Sequence, residues 1–260
     1  MSSLREAGFL SAEINEWIQK HRKENTKWFS LSDRCSKLGQ QILLSLKMNN
    51  NDLQRILVAL WFNRLLSHFQ AIVLLTERGM LYEAQILLRT LVEVSFSLIA
   101  VAEHQEICQE FLQDDKVQQL KALNTYMNLP KRLRTQDEQQ PDISNLIGTL
   151  KSEIYSKKYK ELKTEYIAQR AGMTDYYNTI YGSLCSTVHS RIRDLESHLL
   201  LNEGDEVKQL NWGPDVSRLD TVLLTANETL IISMKKVLLL FDLNEFADEF
   251  NECGAVFHGF

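Results

Sequence analysis

The stretch ILLRTLVEVSFSLIAVA, residues 86–102, decides the fold. It is apolar almost all the way around a helical wheel, which marks a helix enclosed by others at the centre of a domain. Only Arg89 and Glu93 bring charge into it. Their i,i+4 spacing projects both from one face, within reach of each other. An unpaired ion in such surroundings is strongly unfavourable, so each needs a partner. One reading is a buried ion pair that fixes helix register. The other places the pair at the floor of a polar pocket, with Arg89 aimed at an anion and Glu93 orienting it or acting as a base.

Working upstream, residues 53–76 form a second long and very apolar pattern, with Asn51 or Asp52 available as its N-cap. Arg78-Gly79-Met80 reads as its close, Gly79 taking the left-handed conformation. The 53–76 and 81–104 helices therefore lie antiparallel as a tight hairpin. Before them, periodic apolar residues predict helices over 4–23 and from Asn25 or Thr26 to about 46. Downstream, a helix over 106–127 stops ahead of Pro130. Residues 131–141 read as a loop, 142–169 carry a weaker helical signal, and 174–201 a clear one. Residues 202–214 read as loop, 215–241 as the last long helix and 243–251 as a short acidic one. No stretch alternates as a strand does, and no repeat of 20–50 residues occurs. The expectation is an all-α protein, an antiparallel helical bundle built on the long central hairpin. Residues 1–50 would be peripheral N-terminal helices and 51–260 the bundle domain, with one continuous domain as the alternative.

Composition agrees. Ten Gly and three Pro among 260 residues are too few for the many turns of a sandwich, barrel or dinucleotide-binding domain. A net charge of −5 excludes a general duplex-DNA coat. Charge is uneven, with nine Lys/Arg against six Asp/Glu over 131–170 and four against eleven over 201–260. The start of the chain has no secretory pattern, and the longest uncharged apolar run is nine residues, so a cytoplasmic protein with no membrane span is expected. The four cysteines are isolated, as buried reduced thiols are. No Gly-rich phosphate loop, HExxH, GxSxG or DxDxDG is present, and neither cofactor nor metal is expected. The tail ends in two aromatics, Phe257 and Phe260, which either pack back on the domain or dock a partner.

On the 174–201 helix, Tyr177, Tyr181, Leu184, Val188, Ile192, Leu195 and Leu199 make a buried stripe, and Tyr181, Cys185, His189 and Arg193 a row along its edge. His189 is thereby half-buried, either as a satisfied core residue or as an acid, base or donor near neutral pH.

LLRTLVE (residues 87–93) followed by YGSLCSTVHS (residues 181–190) resembles a bacterial all-helical family of unknown function that is HEPN-like (higher-eukaryote and prokaryote nucleotide-binding). The resemblance covers roughly residues 53–240. It implies metal-independent RNA cleavage in which a histidine assists attack of a 2′-hydroxyl and an arginine holds the phosphate, in a cleft between two protomers. Such enzymes carry Arg-x4–6-His with a polar residue after the arginine, and Arg193-Asp194-Leu195-Glu196-Ser197-His198 matches it literally. On a straight helix, however, Arg193 and His198 stand about 140° apart. His189 has Cys185 and Ser186 ahead of it where the family has arginine, so Arg89 from the neighbouring helix would have to serve.

The resemblance thus implies a homodimeric RNA- or nucleotide-directed effector of bacterial defence or toxin type. Arg89 or Arg193 would bind phosphate, His189 or His198 would transfer protons, and Glu93 and Tyr181 would orient them. The alternative is a non-catalytic helical module binding a partner protein or small anionic ligand through the same pocket.

Overall fold

The computed structural model describes residues 3–130, 143–188, 192–204 and 206–259, with only the backbone of Arg193, Asp194 and Ser197. His189 and the side chain of Arg193 therefore lie outside the described residues, as does the 131–141 loop. The chain is all-α, 79% helical. In order come α1 (Leu4–Ala7), α2 (Ile14–Glu24), α3 (Thr26–Ser45), α4 (Leu53–Glu77), α5 (Leu81–Glu103), α6 (Ile107–Asn128), α7 (Ile143–Lys157) and α8 (Thr164–Arg170). Then follow α9 (Thr174–Tyr176), a π-helical turn (Tyr177–Tyr181), α10 (Gly182–Val188), α11 (Ile192–Leu195), β1 (Leu199–Leu201), β2 (Val207–Leu210), α12 (Leu219–Phe241) and α13 (Ala247–His258).

The α4–α5 hairpin is the centre of the bundle. Asp52 caps α4, its carboxylate accepting from the Arg55 amide at 2.9 Å. At the other end Met80 N–H donates to Leu75 O and Gly79 N–H to Thr76 O, the two bonds of a Schellman close, with Gly79 at φ +69°. Phe62, Leu65, Phe69 and Ile72 of α4 are fully enclosed, as are Leu91, Phe96, Leu98 and Val101 of α5. α12 lies against both helices and contributes Leu223, Ala226, Leu230 and Met234 to the same core. α3 closes this layer with Phe29, Cys35, Leu38 and Ile42. By length and mean hydropathy (1.4 and 1.6) α4 and α5 could each cross a membrane. Their most apolar windows are 44% and 67% buried inside the bundle, as core helices of a soluble protein also are.

Local structure departs from expectation at three places. The 174–201 helix does not run through: it passes through the π-helical turn and, after α11, gives way to a 3₁₀ turn and then β1. β1 and β2 form an antiparallel hairpin, β1 taking the last residues of the expected helix and β2 part of the expected loop. Its turn is organised by Asn202, whose Oδ1 accepts from the Gly204 and Glu206 amides at 2.9 Å each. Such side-chain mimicry of a backbone turn needs a single Asx residue, and three leucines carry no alternation to announce a strand. Finally, α13 runs on to His258 instead of ending near 251, burying Cys253 and setting Phe257 against the core, so the described part of the tail packs back on its own domain.

His21 holds α2 to this core. It is 3% exposed, stacks on Trp17 at 4.4 Å and meets the edge of Phe29 at 5.3 Å. Burial pushes its pKa below the ordinary imidazole value of 6.5, against a smaller upward pull from the Thr76 carbonyl and Glu24. His68 of α4 is lowered in the same sense by burial and by Arg64. As pH falls below 6.5 the unfolded chain takes up protons that these folded imidazoles refuse, so stability is present above that pH and is lost toward the lowered folded values. Melting temperature should therefore drop between pH 7.5 and 5.5, and the drop should shrink in His21→Gln.

Candidate functional site

α5 presents Gln85, Arg89 and Glu93 along one stripe, four residues apart, on the side where α8 and α10 pack. Arg89 donates from Nη1 to Glu93 Oε2 at 2.9 Å and from Nη2 to the Tyr181 hydroxyl at 2.5 Å. Its guanidinium carbon also lies 4.6 Å from the centre of the Tyr181 ring. The other carboxylate oxygen, Glu93 Oε1, accepts from Thr164 Oγ1 at the start of α8, at 3.1 Å. One turn past Tyr181, the Cys185 thiol stands against the guanidinium.

The arginine and glutamate side chains are 22% and 36% exposed, so the network is half-buried. Burial works to lower the Arg89 pKa, but Cys185, Glu93 and Tyr181 outweigh it and hold the pKa above the ordinary value. Burial, reinforced by Glu93, raises the Tyr181 phenol, which stays protonated at neutral pH. The network is an internally neutralised cation and anion with a neutral hydroxyl between them and α10.

The π-helical turn is what brings Tyr181 here. Widened turns of this kind recur at functional sites because they re-aim a side chain without ending the helix. Tyr177 and Tyr181 stack at 5.2 Å with planes 19° apart, and both lean on Phe96, at 6.4 and 5.9 Å. Val92, Phe96, Ala168 and Tyr181 form a small core of their own beside the main one. Because the ion pair is partly exposed, breaking it is expected to cost less than a buried pair would. Glu93→Gln should lower stability by about 1–2 kcal/mol in urea titration, and the double variant Arg89→Met/Glu93→Leu should regain much of that loss.

Gln85, 6% exposed, turns the stripe toward a second feature. Its Oε1 accepts from Thr187 Oγ1 of α10 at 3.3 Å. Beyond it opens a cleft of about 240 Å³ lined by Leu81, Tyr82, Gln85, Asn211, Asp215, Ser217 and Arg218. The His198 ring lies against Tyr82 in a tilted contact, with ring centres 4.0 Å apart and planes at 36°. The His198 carbonyl accepts from the Asn211 amide at 2.7 Å, closing the base of the hairpin, and the Asp215 amide donates to Gly79 O at 2.9 Å, tying the segment before α12 to the α4–α5 turn. Arg218 is exposed at the start of α12.

Of the residues singled out from sequence, Arg89, Glu93 and Tyr181 come together. His198 joins a different group, the Tyr82 side of the cleft, because the 3₁₀ turn Glu196–His198 has already left the helical path. The helical-wheel angle between positions 193 and 198 consequently has no meaning in the fold. Sequence reading passed over Thr164, Tyr82, Gln85 and Arg218. Tyr82 and Gln85 share the helical face of Arg89 at i−7 and i−4 and could have been found that way; Arg218 and Thr164 come from distant elements and carry no such signal.

The matching of families adds one fact. A family model described as a family of unknown function (DUF5677) matches residues 55–207, more than half of the chain. The chain belongs to the DUF5677 family. No curated protein and no solved structure matches it. The DUF5677 segment contains Arg89, Glu93, Thr164, Tyr181 and His198, hence the whole polar network and the histidine set against Tyr82. Asn211, Asp215, Ser217 and Arg218, the far wall of the cleft, lie beyond it.

Proposed function

We propose that this DUF5677 chain is a HEPN-like, RNA- or nucleotide-directed effector of bacterial defence or toxin type that works in the cytoplasm and cleaves RNA without a metal. The observation that carries the reading is the His198 ring set against Tyr82 beside a cleft whose rim bears Arg218. An imidazole can take up and give back a proton, aromatic faces accept an unstacked base, and a guanidinium donates to phosphate oxygens. Gln85 and Asn211 supply amides suited to a base edge or sugar hydroxyl.

In this reading the histidine takes the proton of a ribose 2′-hydroxyl as its oxygen attacks the adjacent phosphorus. The bond to the 5′-oxygen breaks, that oxygen takes its proton from the imidazolium so formed, directly or through water, and the products end in a 2′,3′-cyclic phosphate and a 5′-hydroxyl. Arg89 is already committed to Glu93 and Tyr181, so its part is to position α10 against α5, while Arg218 and Arg193 are the phosphate binders. A second reading has a specific observation behind it. Arg218, exposed on the lining of the cleft, suits a non-catalytic module that binds a partner protein or small anion there.

Induced expression of wild type, His198→Ala, His189→Ala and Arg193→Ala in a bacterial host, with end-mapping of total RNA, tests the proposal. Wild type should slow growth and produce fragments with 2′,3′-cyclic phosphate ends in the presence of EDTA. His198→Ala should reduce cleavage by about 10²–10⁴-fold, the range of a lost general acid or base. Cleavage unchanged in His198→Ala and abolished in His189→Ala would move the chemistry out of this cleft. Intact RNA with wild type, together with binding of a nucleotide or protein that Arg218→Ala removes, would select the binding module.

A further inference from the structure

α13 is anchored through a thiol. Of its 12 residues only Cys253 is buried; Glu249, Phe250, Gly254 and Phe257 are half-buried and the others exposed. Cys253 enters the core against Cys35 of α3, and each of the two is 0% exposed. The thiols stand against each other, the Cys35 S–H shared with the Cys253 sulfur. One residue back on each helix, Arg34 donates to the Glu252 carboxylate, so consecutive pairs 218 positions apart set the register of α13 on α3. Of the other cysteines, Cys108 lies on α6 and Cys185 against Arg89.

The surroundings separate the two sulfurs chemically. Contact with Cys35 lowers the Cys253 thiol below its ordinary range; Arg34 adds to this, and burial and Glu249 oppose it. Cys35 is pushed up, first by Cys253 and then by burial. One sulfur thus yields a thiolate more readily, while the other keeps its proton beside it. A nucleophilic thiol with a second thiol at hand is the arrangement in which oxidation stops at the disulfide instead of passing to higher acids. Both sulfurs are enclosed, so reaction waits on an opening of α13. A terminal helix held by one buried side chain opens at a lower free energy than the bundle it rests on.

We propose that Cys35 and Cys253 form an oxidative modification site, where a hydroperoxide converts the thiol pair to a disulfide that pins α13 to α3. The Cys253 thiolate attacks one peroxide oxygen and the O–O bond breaks. With hydrogen peroxide the departing oxygen leaves as water, taking the proton that Cys253 gave up. The Cys35 sulfur then attacks the sulfenic acid sulfur; the S–O bond breaks, and the hydroxyl leaves as water with the Cys35 proton. In all, two thiols lose two electrons and two protons, and one peroxide is reduced to two waters. The bridge closes most of the chain into a loop, which restricts the unfolded state. In a reducing compartment such a bridge is transient and is undone by exchange with other thiols. The inference does not depend on what the cleft binds.

Hydrogen peroxide added to the full folded chain, then alkylation of the remaining thiols in denaturant and peptide mass mapping, tests it. A Cys35–Cys253 linked peptide should appear, lighter by two hydrogens than its two parts and lost on addition of dithiothreitol. The oxidised protein should melt about 5–10 °C higher than the reduced one. In Cys35→Ala, where no resolving thiol remains, dimedone should instead label Cys253 as a sulfenic acid. Cys253→Ala should neither form a bridge nor take the label at Cys35. A linked peptide that is absent when Cys185 has been fully oxidised would overturn the inference and leave the pair as packing groups. So would a bridge that forms only in urea, or one that joins other cysteines in preference to these two.

Discussion

Alanine in place of Phe96 should cost the bundle about 3–5 kcal/mol, the usual range for emptying a fully enclosed phenylalanine site. The ring is 0% exposed, and it is the post on which the small second core stands, touching the Tyr177 and Tyr181 rings. Its loss leaves a cavity that α8 and the π-helical turn can collapse into only by moving. Tyr181 would then leave Arg89, so the polar network should loosen with the fold. Urea titration reads the stability, and near-ultraviolet circular dichroism reads the stacked tyrosines. Phe69→Ala, equally enclosed but on α4 in the main core, is the control. It should lose comparable stability while the tyrosine signal of the folded protein stays. Phe96→Leu should recover more than half of the loss, since it refills most of the volume.

Gly79→Ala is expected to be nearly as damaging, although the residue sits in a turn and carries no side chain into the core. Its φ of +69° already disfavours any side chain by about 1–2 kcal/mol. A Cβ would also stand 2.7 Å from Pro214 Cα and 2.8 Å from the Asp215 amide nitrogen, which are backbone atoms with little freedom to yield. The Asp215 amide is held to Gly79 O, so relief of the clash requires breaking that bond and shifting the segment that leads into α12. A total of about 2–5 kcal/mol follows from strain, clash and the lost hydrogen bond together. Because Asp215 and Ser217 line the cleft, any ligand of the cleft should bind more weakly to the folded fraction of this variant. Thermal melting combined with ligand titration separates the two effects. A variant that melts like wild type would show that the α4–α5 turn and the start of α12 are not packed as described.

The helices that were legible in the sequence are those whose determinants are local. The apolar run of α5 needs no knowledge of its neighbours to be recognised as enclosed. Asp52 and Gly79 mark their ends through chemistry confined to four or five residues. The Arg89–Glu93 pair was legible for the same reason, since i,i+4 geometry is built into the helix. Its third member was half legible: Tyr181 lay on a predicted helical edge, but its meeting with Arg89 depends on the π-helical turn and on the Phe96 platform.

What misled the reading around residues 189–210 was the assumption that a good apolar stripe continues its helix. The stripe itself is real as far as Leu184, which is buried, yet Ile192 and Leu195 farther along it are exposed. The leucines that follow, Leu199–Leu201, form a short strand whose hydrogen-bonding partner, residues 207–210, can be identified only once the chain has folded back through Asn202. A three-residue strand has no period to detect, and its pairing energy is not a property of the strand alone.

By itself, then, the sequence determined the class of this protein: an all-α chain organised on one apolar helical hairpin, with a charged pair riding on its central helix. Apolar periodicity, capping residues and i,i+4 spacing act over a turn or two, so they survive being read one segment at a time. Only the tertiary structure decided that Tyr181, Thr164 and Cys185 would surround that pair. It also decided that His198 would leave it for Tyr82, and that a cleft would open between the start of α5 and the start of α12. These outcomes depend on contacts between residues many tens to more than a hundred positions apart. No local preference encodes such contacts; they follow from which faces remain to be buried after the hairpin has formed.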